Sequence, residues 1–305
     1  MRLALSPDSV VLPLPVGLSL RSVATRKRVG DELTINVTRA GRKQPSFLLK
    51  PVPSGHWVSH QLPGFERDVL HRPADWVAQA RGYRFEVDDP AGRYLPIRFE
   101  APLPARKAVV WPGWRGWGAT QRSRAAPVFP ADAGASYIPD YLPLFSAPGA
   151  RPENGMAQVR AQLAIRETGG ATRNAGWAAV TVGLGTRVIG LGIADAEGRV
   201  CVSFPYPALP QQSTAEAADG REQIVWDVRV RVYCSELTAA LSDGEVPELG
   251  RIFRQLAGTP LRAMATIMGS QPALPDQKLS LGQPPILRTA LAAGAISSTL
   301  FLKSP

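Results

Sequence analysis

The stretch YRFEVDDPAGRYLPIRFEAPLP, residues 83–104, alternates apolar and polar side chains at a period of two on both sides of a turn. Tyr83, Phe85 and Val87 fall on one face, Asp88-Asp89-Pro90-Ala91-Gly92 has turn composition, and Tyr94 to Phe99 return, the pattern of a β-hairpin. The same grammar runs upstream. In LSLRSV, Leu18, Leu20 and Ser22 alternate with Ser19, Arg21 and Val23, and in LTINVTRA, Leu33, Ile35 and Val37 share a face. A further strand is expected at 56–61, entered through Pro53-Ser54-Gly55 and left through Leu62-Pro63-Gly64.

Composition supports this reading. The 28 glycines and 29 prolines make up about a fifth of the 305 residues, against an average of roughly 12%, which excludes a helical bundle or coiled coil. A hydrophobic content of 45% argues against wholesale disorder. The expected fold is therefore all-β: two small β-sandwich domains joined by a connector rich in Pro, Gly and Trp, with one short helix near the C-terminus.

The boundaries follow composition. Residues 1–104 form the N-terminal sandwich and 105–152 an ordered connector containing WPGWRGWG and YIPDYLPLFSAPGARP. Residues 153–305 form the second sandwich with its helix and closing strands. In that last part AQVRAQLAIRE and WAAVTVGLG read as strands, and GLGIADAEGRVCVSFPYP reads as a hairpin. QQSTAEAADGREQ reads as a polar loop. IVWDVRVRVYC is the clearest amphipathic strand, with Val228, Val230 and Val232 on one face and Asp227, Arg229, Arg231 and Tyr233 on the other. VPELGRIFRQLAG places Leu249, Ile252, Phe253 and Leu256 on one helical face, with Glu248 early and Gly258 as a stop. KLSLG, ILRTALAA and AISSTLFLKSP close the chain as strands packing on the third segment. The turn D-x-x-G-R occurs at 89–93 and again at 195–199, which suggests a degenerate internal duplication.

Residues that could carry chemistry are sparse. On a strand His56 and His60 would lie about 13 Å apart, too far to share a metal ion, and His71 stands in a loop, so all three read as surface or hydrogen-bonded histidines. Cys201 and Cys234 are too few for a disulfide framework. They could be neighbours in one sheet, and read as buried free thiols before a single bridge. Gly190-Leu191-Gly192 falls inside a strand, where glycine marks close packing rather than a phosphate cradle. No catalytic residue, metal site or cofactor is expected, and the chain reads as no enzyme.

The formal net charge of +10 predicts attraction to acidic partners. Basic residues are scattered and no nucleic-acid-binding signature accompanies them, so nucleic acid is not expected as a partner. The N-terminus, broken by Asp8 and several prolines, makes a poor signal peptide, and the longest apolar windows are too short to span a bilayer. The expectation is cytoplasmic synthesis without membrane insertion. Trp111, Trp114 and Trp117 repeat every three residues around Arg115 in the connector. With Tyr137, Tyr141 and Phe145 they form the candidate partner interface, or the aromatic strip of a glycan-binding module.

On GLGIADAEGRVCVSFPYP the third segment resembles the carboxypeptidase-regulatory-like, prealbumin-type β-sandwich, a module used as scaffold or spacer. This likeness implies the prealbumin or immunoglobulin-like type for the two sandwiches. Several pieces in order, LPVGLSLRS, SGHWVSHQLPG, VDDPAGRYLP, YLPLFSAPGARP, GIADAEGRVCVSFPYP, WDVRVRVY and ILRTALAAGAISSTLFLKSP, resemble an accessory protein of extracellular contractile injection systems, the phage-tail-like particles. That resemblance implies a structural role at or near the baseplate, partners among the baseplate, sheath or tube subunits, and a location in an assembled particle, cytoplasmic or released. It brings no residue-level function.

Overall fold

A computed structural model describes residues 16–40, 46–62, 65, 81–103, 141–208, 214–216, 222–235, 245–267, 272–291 and 295–303. Among the described residues the protein is all-β, with a single short helix near the C-terminus. Among the described residues no helix is long and apolar enough to cross a membrane.

The first sandwich contains β1 (Val16–Ser22), β2 (Thr34–Arg39), β3 (Phe47–Leu48), β4 (Lys50–Pro51), β5 (His56–Ser59), β6 (Arg81–Asp88), β7 (Ile97–Leu103) and β8 (Leu142–Leu144). One four-stranded sheet has the order β4-β5-β1-β8 and the other β3-β2-β6-β7. Period-two alternation drives both: Leu18, Leu20, Ile35, Val37, Tyr83, Phe85 and Phe99 are fully buried between the sheets. Phe85 and Phe99 are cross-strand partners and stack at 4.7 Å. Each such side chain contributes about 1.5–3 kcal/mol relative to exposure. The strand expected at 56–61 stops at Ser59, where the Ser59 hydroxyl bonds Gln61 and turns the chain. The described end of the connector enters this sandwich as β8, which runs parallel to β1.

The second sandwich contains β9 (Met156–Arg166), β10 (Thr172–Asn174), β11 (Ala179–Leu184), β12 (Arg187–Ile193), β13 (Arg199–Pro205), β14 (Thr214–Glu216), β15 (Glu222–Tyr233), β16 (Arg262–Ala263), β17 (Gln277–Ser280), β18 (Ile286–Leu287) and β19 (Leu300–Lys303). Its first sheet has the order β10-β9-β19-β16, with β13 and β18 also on β9; its second has β12-β11-β15-β14, with β17 on β15. The closing strands β18 and β19 pair with β9, as the sequence suggests. The stretch read as a polar loop before β15 holds β14, which pairs with the start of β15 as a short hairpin. Gly190 and Gly192 mark close packing of β12 on β13: a Cβ at either would stand 2.7 Å from the Phe204 ring or 2.9 Å from the Val202 side chain.

Helix α1 (Leu249–Arg254) starts at Glu248, whose carboxylate accepts the Arg251 N–H at 3.0 Å, and continues through a 3-10 turn, Gln255–Ala257, to Gly258. Leu249, Ile252, Phe253 and Leu256 are buried in the core of the first sandwich, together with Trp177, Ala179, Leu191 and Ile193 from the second. The Phe253 ring meets Phe145 at 5.7 Å. Buried Gln255 donates to the Trp177 carbonyl at 2.9 Å and accepts from the Ser235 N–H at 2.8 Å. Glu245, just before the helix, pairs with Arg98 of β7. The helix is thus a wedge shared by both sandwiches.

Candidate functional site

In both D-x-x-G-R turns the leading Asp carboxylate accepts from the N–H and the Nε of the closing Arg. In the first, Asp89 Oδ2 accepts from the Arg93 N–H (2.7 Å), the Tyr94 N–H (3.0 Å) and Arg93 Nε (3.1 Å). Its Oδ1 accepts from the Ala91 N–H (3.3 Å) and Arg93 Nη2 (3.1 Å). In the second, Asp195 accepts from the Arg199 N–H at 2.8 Å and Arg199 Nε at 2.7 Å. Gly92 and Gly198 both sit at positive φ, +67° and +83°, and both donate to the carbonyl of the leading Asp. Only the second turn carries the chain from one sheet to the other, so the hairpin expected there is not formed; β6 and β7, on either side of the first, are paired in one sheet. After the first, Arg93 to Leu95 pair with Phe145 to Ala147 beside β8 before Pro96 returns the chain to β6. After the second, β13 joins β9 while β12 stays with β11.

Asp89 is the most strongly held acid of the pair. Burial pushes its carboxyl up, but the Arg93 side chain, the Arg93 and Tyr94 N–H groups and the Arg93 charge outweigh this and hold it below the ordinary carboxylate range. Arg93 reaches on to Glu32 at 2.9 Å, so its guanidinium is fully engaged in the fold.

A cleft of about 440 Å³ opens beside this first turn, walled by the 22–25 turn, by 91–94, by 146–153 and by Met156 and Ser203 of the second sandwich. The 146–153 segment is tied down through the Ala150 carbonyl, which accepts from Arg160 Nη2 at 2.8 Å and Gln158 Nε2 at 3.4 Å. The Ser22, Tyr94, Ser146 and Ser203 hydroxyls in its wall can hydrogen-bond a polar group. Burial pushes the Tyr94 phenol up, opposed by its hydrogen bond with Ser22. No sequence period announces this cleft, because it is assembled from three loops far apart in the chain.

Of the candidate interface, Trp111, Trp114, Arg115, Trp117 and Tyr137 lie outside the described residues. Tyr141 is half-buried with the Arg21 guanidinium 5.2 Å above its ring. Phe145 is fully buried against Phe253 and serves the chain's own core. The two aromatics are therefore not brought into one exposed strip.

His56 Nδ1 is hydrogen-bonded to Ser54 Oγ at 2.9 Å, the hydrogen-bonded state expected for it, while His71 lies outside the described residues. Cys201 and Cys234 are both free thiols. They are not neighbours in one sheet: Cys201 stands in β13 on β9, and Cys234 follows β15 in the opposite sheet. Burial pushes both thiols up, opposed at Cys201 by Ser203 and Arg160 and at Cys234 by Arg173. Among the described residues no group of three or more His, Cys, Asp or Glu side chains is placed to hold a metal ion. Comparison of the chain with protein-family models, with curated proteins and with solved structures finds no match.

Proposed function

We propose that the protein is a non-enzymatic structural component of a contractile phage-tail-like injection particle, at or near its baseplate, acting through protein–protein contacts. The observation that carries this reading is the welding of two sandwiches into one body through α1, whose apolar face is buried in a core that both share. A scaffold part must keep its binding surfaces in fixed relation, and a shared core does that where a flexible linker does not. The ordered series of sequence pieces resembling the particle accessory protein supplies the partner class.

The test is sedimentation of particles from cells producing a tagged copy of the chain. The tagged chain is expected to travel with sheath-like particles, and its deletion to leave unstable or incomplete ones. Recovery only as a lone monomer, with intact particles after deletion, overturns the reading.

A further inference from the structure

We propose that Arg166 on β9, Lys303 on β19 and Arg262 on β16 form a docking row for an acidic protein segment that presents carboxylates in line. Register creates the row. Lys303 is the direct partner of Arg166, and Arg262 is the direct partner of Lys303, so three cations stand side by side across three adjacent strands. At about 4.8 Å per strand the row is about 10 Å long. The preceding set in the ladder, Ile165, Leu302 and Ala263, points into the second core, so the cations point away from it. Lys303 and Arg262 are exposed and Arg166 is half-buried.

Among the described residues none of the three cations is in an ion pair; the neighbouring Glu167 is taken by Arg173 at 3.5 Å. Like charges directly opposite one another weaken a sheet. A row of three is therefore unfavourable in the isolated chain and is relieved when carboxylates dock on it. Alternate carboxylates on an extended chain are about 6.7 Å apart, so two of them fit within a row of this length. Half-buried Phe301, two residues before Lys303 on the same face, adds apolar surface beside the charges. Both features favour a protein segment over nucleic acid, whose binding rests on many phosphate contacts spread along a groove. The inference rests on the proposal above only in taking a particle subunit as the source of that segment.

The experiment measures fluorescence anisotropy of a labelled 20-residue polyglutamate peptide, and of a 20-nucleotide single-stranded DNA, on the full chain at low salt. Two triple variants are compared: Arg166→Ser with Arg262→Ser and Lys303→Ser, and a control of equal charge change, Lys27→Ser with Lys50→Ser and Arg187→Ser, all three exposed positions. Polyglutamate affinity is expected to fall about tenfold or more in the row variant and about twofold in the control. The Tm of the row variant is expected to stay level or rise by about 1–3 °C, because repulsion is removed. Equal losses in both variants, absence of polyglutamate binding, a lower Tm in the row variant, or row-dependent binding that is tighter for DNA each overturn the inference. Row-dependent polyglutamate binding by a chain that does not sediment with particles supports this inference while overturning the particle reading.

Discussion

Replacing Gly198 with alanine tests whether the turn between β12 and β13 is clamped against β9 or merely closed on itself. Gly198 lies at φ +83°, and a Cβ added there would stand 2.4 Å from the Leu163 carbonyl oxygen and 3.2 Å from the Ala175 nitrogen. That carbonyl accepts the Ala175 N–H at 3.0 Å, while the Leu163 N–H donates to the Gly198 carbonyl at 2.8 Å. A side chain at positive φ costs about 1–2 kcal/mol. Forcing β9 and the turn apart adds about 1–3 kcal/mol more, as overpacking of a closed interior does. Gly92→Ala is the internal reference: φ is +67°, yet no atom lies within 4 Å of its added Cβ, so only the backbone term applies. At about 2–4 °C per kcal/mol, Gly92→Ala should lower Tm by about 2–8 °C. Gly198→Ala should lower it by about twice as much, read by thermal melts and confirmed by urea midpoints. A Gly198→Ala loss equal to or smaller than that of Gly92→Ala refutes the clamped geometry.

Asp89→Ala leaves the Ala91, Arg93 and Tyr94 N–H groups without their acceptor, while the Arg93 guanidinium keeps Glu32, and should cost about 1–3 kcal/mol by urea denaturation at neutral pH. Because the folded-state pKa of Asp89 lies below the unfolded value of about 3.9, its contribution is complete above that value. It is lost as pH falls through the lower folded pKa, so Asp89→Asn should show a shallower acid loss than the parent chain below about pH 4. Phe145→Ala removes the ring that meets Phe253 and should cost about 3–5 kcal/mol; a split of one thermal transition into two is the expected signature of a loosened wedge, and an unchanged melt counts against it. With a thiol-reactive dye near pH 8, half-buried Cys234 should be labelled well before buried Cys201; equal rates would contradict the assigned burial.

Local patterns were legible in the sequence because their causes are local. Leu33, Ile35 and Val37, Tyr83, Phe85 and Val87, and Val228 and Val232 are inward, since a period of two reports the pleat directly. The recurrence of D-x-x-G-R was likewise readable, because the Asp carboxylate, the Gly φ and the Arg donor all act within five residues. What stayed hidden depends on contacts between distant segments. Nothing in LPLF announces that Leu142–Leu144 pairs with β1 or that Phe145 meets Phe253, over a hundred residues away. In 153–305 the helix face was predictable, but not that it would be buried in the core of the first sandwich. Arg166, Arg262 and Lys303 each look like an ordinary polar position at a strand end, and only the register of β16, β19 and β9 brings them into line.

That alignment gives the surplus of positive charge a place to act. A net charge of +10 spread evenly raises encounter rates with any anion and selects none. Three cations held in register by hydrogen-bonded strands select by spacing, because their backbone positions do not adjust to the partner. The ladder behind them packs through Leu302 and Ile165 into the second core, and α1 binds the second sandwich to the first. A partner that docks on the row therefore meets a surface ordered before binding, and the entropy lost on association falls mainly on the three long side chains.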